Sequence, residues 1–231
     1  MDIQTIKQQL IDIGEIFIET VPEFTQAAWV TIQLTFFSLI LATLLGLIFA
    51  LMKISPIRPL YWLANIYITV IRGTPLIVQI SFFYFGLTAF GVVLPTFWAG
   101  VLALAIHSGA YITEIFRGAI QSIDPGQMEA ARSLGMNYAL AMRRIILPQA
   151  FKRSIPPIAN QFIIGLKDSS LVAYIGATEL WGIALGIAAE NYKPFQTYVV
   201  NGFYYLVLVL VLTFLANTLQ KRLAVGREER T

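Results

Sequence analysis

The stretch Asp124-Pro125-Gly126-Gln127-Met128-Glu129-Ala130-Ala131-Arg132-Ser133-Leu134-Gly135, continuing through residues 136–144 to Ile145-Ile146-Leu147-Pro148, is a polar island in an apolar chain. Its punctuation predicts two short helices. Asp124 suits an N-cap, Pro125 the first helical position and Gly135 a left-handed C-terminal cap. A second helix is expected from about Asn137 until Pro148 stops it, because proline cannot donate the next backbone bond. The small side chains of Ala130 and Ala131, flanked by Glu129 and Arg132, leave room for another protein to approach the backbone. Two readings follow: a compact docking surface at the face of a membrane, or an amphipathic helix lying on anionic lipid, which Arg143 and Arg144 favour.

Outward from this island the chain is built for a bilayer. Apolar residues make up 57% of the 231 and charged ones only 13%, with a mean hydropathy of +0.71. That is far from the balance of a soluble domain. A helix needs about 20 apolar residues to cross the hydrocarbon, and Phe24 to Met52, Gly73 to Thr113 and Pro194 to Gln220 carry no charge at all. The first run is too long for a cleaved signal and follows acidic rather than basic residues, so it is expected to stay in the mature protein. There is no cysteine and a single histidine, His107. Disulfides, thiolate metal ligands and bis-histidine haem are therefore excluded, and no metal or cofactor is expected. The net charge of +3 is distributed for membrane orientation and not for nucleic acid.

Basic residues fall in three groups: Lys53 and Arg58; Arg117, Arg132, Arg143, Arg144, Lys152 and Arg153; and Lys221, Arg222, Arg227 and Arg230. The positive-inside rule places all three in the cytoplasm. The N-terminal segment, with Asp2, Asp12, Glu15, Glu19 and Glu23 against Lys7, and the near-neutral loop at Glu190 and Lys193 are placed outside; residues 1–23 carry no further reading. Parity then requires an even number of crossings between the first two basic groups, although three apolar pieces lie there, Pro59 to Ile71, Pro75 to Phe90 and Thr96 to Phe116. The first two are read as one helix broken at Gly73-Thr74-Pro75, where glycine tolerates unusual angles, Thr74 can cap a helix N-terminus and proline suits a first turn. The expectation is an all-α integral membrane protein: one transmembrane domain over residues 1–231 with five spans, at about 24–52, 59–90, 96–116, 154–175 and 195–220. Its N-terminus lies outside, and residues 176–194 form a re-entrant or interfacial element. Five spans do not easily enclose a path, so pairing with an identical or similar chain is expected.

Polar groups at membrane depth are costly, and function is one reason to keep them. Arg72 lies ~20 Å along a helix begun at Arg58, and the break beyond it frees N–H groups at Thr74 to Ile77 that attract carboxylates. It could hold a solute's carboxylate with Thr74, or form an internal ion pair with Asp168 or Glu179, or snorkel. His107 lies ~16 Å along its span; it could line a solute path or be a satisfied core residue. Asp168 with Ser169 and Ser170 could receive an amino group and Lys167 could pair with an acid of a partner subunit, or the segment could be an interhelical polar lock. Glu114 and Arg117, three residues apart, are read as a surface ion pair.

The spacing from Glu129 to Pro148 resembles the signature of ABC importer permeases, Glu-Ala-Ala, three residues, Gly, nine residues, Ile, one residue, Leu-Pro. It matches at Glu129, Ala130, Ala131, Gly135, Ile145, Leu147 and Pro148. Arg72-Gly73-Thr74-Pro75-Leu76-Ile77-Val78-Gln79 and Leu166-Lys167-Asp168-Ser169-Ser170-Leu171-Val172 are similar to segments of permeases for polar amino acids (histidine, arginine, lysine, glutamine, glutamate). The resemblance runs from about Ala27 to Arg222. It implies a type I importer permease fold, cytoplasmic coupling helices at about 125–147 that dock in a cleft of a separate ATPase subunit, and a role for Glu129, Ala130, Ala131 and Gly135 in that coupling. It also implies an extracytoplasmic solute-binding protein and location in a bacterial inner membrane.

The chain has no phosphate-cradling G-x-x-x-x-G-K-[ST] sequence, so ATP must be hydrolysed by another chain and no catalytic residue is expected here. An ion-coupled secondary amino acid transporter is the rival reading. It lacks support from repeated halves.

Overall fold

The computed structural model describes residues 2–228 and the side chains of residues 2–222. Arg230 lies outside the described residues, and of Arg227 only the backbone is described. Among the described residues every regular element is helical: α1 (Ile3–Glu19), α2 (Val21–Ile54), α3 (Arg58–Gly73), α4 (Leu76–Ser81), α5 (Thr96–Gln121), α6 (Pro125–Ser133), α7 (Tyr138–Ala141), α8 (Leu147–Asp168), α9 (Leu180–Asn191) and α10 (Pro194–Glu228). A π turn at Phe82–Gly86 continues α4, another at Met142–Ile146 joins α7 to α8, and a 3-10 stretch at Ser169–Ile175 follows α8.

Among the described residues three helices, α2, α5 and α10, are long and apolar enough to cross a membrane singly. The number rises to five if each of two bent pairs is one span: α3 with α4 and its π turn, bent by 107°, and Tyr138–Ile175 with α9, bent by 51°. Polar residues inside α2 do not disrupt it, since the hydroxyls of Thr31 and Thr35 donate to the carbonyls of Ala27 and Thr31 and that of Ser38 to Thr35. Each buried hydroxyl is thus satisfied by its own helix.

Two expectations are corrected. Pro148 does not stop a helix: the chain runs from α7 through the π turn into α8 with Pro148 in its first turn and Pro156 and Pro157 inside it. The wider turn lets the Leu147 N–H reach back five residues to Met142, which accommodates a following residue that has no N–H to give. Residues 1–23 also hold an element that was not foreseen. In α1 the apolar residues Ile3, Ile6, Leu10, Ile13 and Phe17 recur every three or four positions, the spacing of one helix face.

The contacts divide the chain into two compact units. One contains Met1–Ser38, Leu76–Leu104 and Ile163–Phe214. Its cores gather Leu34, Ile80, Leu104 and Val172 in one cluster and Ile16, Phe24, Leu180 and Val200 in another. Gly100 permits the first: a Cβ there would stand 2.4 Å from Val172 Cγ1. The other unit contains Leu39–Pro75, Ala105–Phe162 and Leu215–Thr231. It packs Leu39, Ala50, Ile112 and Phe116 together, and separately Ile120, Ile123, Ile146 and Ala150 with Met128 of α6 and Met142 of the π turn.

Candidate functional site

In the second unit, α3 is fixed to α5 by Tyr67. Its hydroxyl donates to the Ile106 carbonyl at 2.7 Å, and its ring stacks on Phe49 with centroids 4.0 Å apart. Gly109 makes the approach possible, because a Cβ at that position would meet the Tyr67 hydroxyl at 2.7 Å.

One turn further along α3, Arg72 reaches the same helix. Its guanidinium carbon lies 5.2 Å from the centroid of the Tyr111 ring, within the range of a cation–π contact. Tyr111 in turn meets His107, with ring centroids 5.2 Å apart and planes tilted by 48°. The structure therefore brings together two residues singled out in the sequence, Arg72 and His107, through a third that was missed. A signal for it existed: Tyr111 follows His107 by four residues, the spacing of one helix face. Arg72 is exposed, while His107 and Tyr111 are half-buried.

Thr74 is extended, at φ −119° and ψ 144°, the backbone region of a residue that precedes a helix, and its hydroxyl donates back to the Val70 carbonyl at 2.9 Å. It thus closes the end of α3. The helix that follows the break, α4, is only six residues long.

Asp168 and Ser169 belong to the first unit, at the junction where α8 gives way to the 3-10 stretch. Asp168 is half-buried. Ser169 is buried, and its hydroxyl donates to the Leu166 carbonyl at 2.7 Å. In that unit Glu179, fully buried, accepts from the N–H groups of Trp181 and Gly182 and from the Tyr205 hydroxyl. The carboxylate that was one candidate ion-pair partner for Arg72 caps α9. Glu114 pairs with Arg117 at 2.7 Å as expected and also with Lys53 at 2.8 Å, a partner from another helix that local spacing does not reveal.

The helices α6 and α7 form the second candidate site. Asp124 caps α6 by accepting the Gly126 N–H at 2.7 Å, and Asn137 caps α7 by accepting that of Leu140 at 2.9 Å. Gly135 has φ +82°. Its N–H donates to the Arg132 carbonyl and that of Met136 to Ala131, the paired bonds of a Schellman cap. Arg153 binds the Ser122 carbonyl and hydroxyl, which ties the approach to α6 onto α8. Glu129, Ala130, Arg132 and Gly135 are exposed. Ala131 is not available as expected: it is 4% exposed, because that side of α6 packs on the turn leading out of α7. Leu134, by contrast, is 80% exposed between the two helices, and its exposure was not anticipated.

Residues 16–225 match the family described as the inner membrane component of binding-protein-dependent transport systems. The chain belongs to that family. Members are permease subunits, and ATP is hydrolysed by a separate chain, so this permease is not itself an enzyme. It is 39% identical over 207 residues to the arginine transport system permease protein ArtQ of Bacillus subtilis (strain 168), covering 89% of this chain and 94% of that one. It is 38% identical to the L-cystine transport system permease protein TcyB of the same organism, over 87% of both chains. The crystal structure of an amino acid ABC transporter with histidines matches with a TM-score of 0.84 and 45% identity, over 89% of this chain and 96% of that one. The family assignment makes the permease a multi-pass inner membrane protein, in keeping with its apolar helices.

Proposed function

We propose that the permease carries polar amino acids inward through the membrane, received from an extracytoplasmic binding protein, with movement driven by a separate ATPase that grips α6 and α7. The observation that carries this reading is the capped pair itself: Asp124, Gly135 and Asn137 fix two short helices rigidly and leave Glu129, Ala130 and Leu134 exposed on a basic, membrane-proximal segment. An ATPase that closes on ATP pushes such an element as a rigid body, and the spans continuous with it through α8 move with it. Charge supports a topology of five spans in one transmembrane domain, with the N-terminus outside and α6 and α7 in the cytoplasm. A second permease subunit, identical or similar, completes the path.

Arg72, Thr74, His107, Asp168 and Ser169 are the proposed solute contacts. A zwitterion needs both a cationic and an anionic partner. Arg72 is the proposed partner for a carboxylate, Asp168 that for an amino group, and His107 is a neutral donor and acceptor. The names of the relatives, arginine for one and L-cystine for another, support a polar amino acid and leave its side chain open.

The experiment is uptake into liposomes holding the permease with its ATPase and binding protein, using labelled arginine, cystine and glutamine. ATP-dependent uptake of at least one is expected. Uptake that runs without ATP and collapses with an ion gradient overturns the reading in favour of a secondary carrier. Arg72→Ala is expected to lower uptake at least tenfold at unchanged yield of assembled complex. Equal losses of uptake and assembly would make Arg72 a structural residue.

A further inference from the structure

We infer that Tyr111 is a specificity-determining residue of the solute path: its ring is a seat for a cation, held by Arg72 and surrendered to the cationic side chain of an incoming amino acid. The inference rests on the proposed solute path and adds a residue that neither the signature segments nor their resemblance pointed to.

The geometry has three parts. The guanidinium carbon of Arg72 is 5.2 Å from the Tyr111 centroid, so the ring already serves as a cation site. A neutral aromatic ring holds a cation through its quadrupole without carrying charge. No buried carboxylate is left unpaired when the cation leaves, in contrast to the cost of breaking a buried ion pair. The bound cation is also the end of a long, exposed side chain in the last turn of α3, and Thr74 directly beyond is already extended. Arg72 can swing away without unwinding its helix. Finally, His107 lies against the same ring at 5.2 Å with its plane tilted by 48°, which backs the ring and orients it while Arg72 comes and goes.

One exchange then serves both ends of a cationic amino acid. The side-chain guanidinium or ammonium replaces Arg72 on the ring, and the released Arg72 guanidinium is free to meet the solute carboxylate as a charge-assisted pair. A neutral amino acid can meet Arg72 only by drawing it off the ring with nothing to take its place. Tyr111 therefore favours cationic side chains, and its hydroxyl is dispensable for this.

The test uses the detergent-purified complex without binding protein, so that selection by that protein does not enter, and measures direct binding of labelled arginine and labelled glutamine. Tyr111→Phe is expected to keep the arginine affinity within about twofold. Tyr111→Leu is expected to leave arginine binding within about twofold and to strengthen glutamine binding about tenfold, because Arg72 then has no ring to give up. Because Tyr111→Leu also changes packing, phenylalanine with one, two and three ring fluorines at position 111 supplies a series of nearly constant shape and falling negative potential on the ring face. Glutamine affinity should rise stepwise along it while arginine affinity stays level. A flat glutamine series, glutamine binding that is unchanged or weakened in Tyr111→Leu, or a wild-type complex that binds glutamine and not arginine overturns the role of Tyr111 and leaves the importer standing. A wild-type complex that neither binds nor takes up any amino acid overturns both.

Discussion

Glu179 and Tyr205 are joined by a 2.7 Å hydrogen bond from the phenol to a carboxylate with no solvent exposure. The same carboxylate accepts the N–H groups of Trp181 and Gly182, and the Thr31 hydroxyl oxygen accepts that of Leu180 at 3.1 Å. Three successive N–H groups at the start of α9, which have no partner within the helix, are thus all met by side chains. Glu179→Ala leaves two of those N–H groups and the Tyr205 hydroxyl without acceptors, and should cost about 3 kcal/mol. Tyr205→Phe removes a single donor and should cost about 1–2 kcal/mol. Thermal unfolding of the purified complex should rank them so. A larger effect for Tyr205→Phe would mean that the phenol is held for some other purpose.

Asp12 anchors α1 to the turn between α9 and α10. Its Oδ1 accepts from the Gln8 amide at 3.1 Å and lies 3.2 Å from Lys193 Nζ. The Gln8 hydrogen bond, then the Lys193 bond and charge, hold the Asp12 carboxyl below its ordinary value of 3.8. A lowered folded value means that the anchor is fully present above the ordinary carboxylate range and is lost as pH falls through the lowered value. Hydrogen exchange of the α1 amides, corrected for the intrinsic pH dependence of exchange, should therefore be slow in wild type near neutral pH and should accelerate on acidification. Asp12→Asn should show faster exchange at neutral pH and little further change with acid. Parallel pH profiles for the two proteins would falsify the anchoring role.

Much of this was legible because local chemistry settled it. Asp124, Pro125 and Gly135 marked the ends of α6 correctly, since caps depend on only a few neighbouring residues. The break at Gly73-Thr74-Pro75 was legible for the same reason. The cost of Pro148 was misjudged because a missing N–H can be absorbed by a π turn just before it, and nothing in the apolar pattern of residues 142–146 distinguishes a π turn from an α turn. The Tyr111 partner of Arg72 and the Lys53 partner of Glu114 were out of reach for another reason. Spacing along α5 shows that His107 and Tyr111 share a face, but which helix faces them depends on the packing of Tyr67 against Gly109. Ala131 was assigned to a partner because an isolated amphipathic helix shows its small residues without showing what lies beneath them.

Gly100 shows how closely the start of α5 packs within the first unit. A Cβ added there would stand 2.4 Å from Cγ1 and 3.2 Å from Cγ2 of Val172, with no backbone among the three nearest atoms. Gly100→Ala alone should destabilise by about 1–3 kcal/mol through overpacking. Val172→Ala alone should also destabilise, through a cavity. The double variant should be more stable than the sum of the two predicts, by about 1 kcal/mol or more. Simple additivity in the unfolding of the three proteins would mean that the helices relax apart and that the close contact is not a constraint.

Gly135 tests the link between the α6 cap and the motor. At φ +82° a residue with a side chain is strained, yet a Cβ there has nothing within 4 Å, so any effect of substitution comes from backbone conformation and not from a clash. A β-branched residue resists the left-handed region most strongly, by about 1–2 kcal/mol. Gly135→Val should shift the chain out of the Schellman cap, misplace Leu134 and α7 relative to α6, and leave membrane insertion intact because no span is touched. Gly135→Asn, which tolerates the left-handed region, should retain most function. The measurement is recovery of the ATPase with affinity-tagged permease from membranes at matched permease yield. A reduction of several-fold is expected for valine and little for asparagine. Equal recovery with Gly135→Val would show that the ATPase grips a surface indifferent to the cap, and the coupling role assigned to α6 and α7 would fail with it.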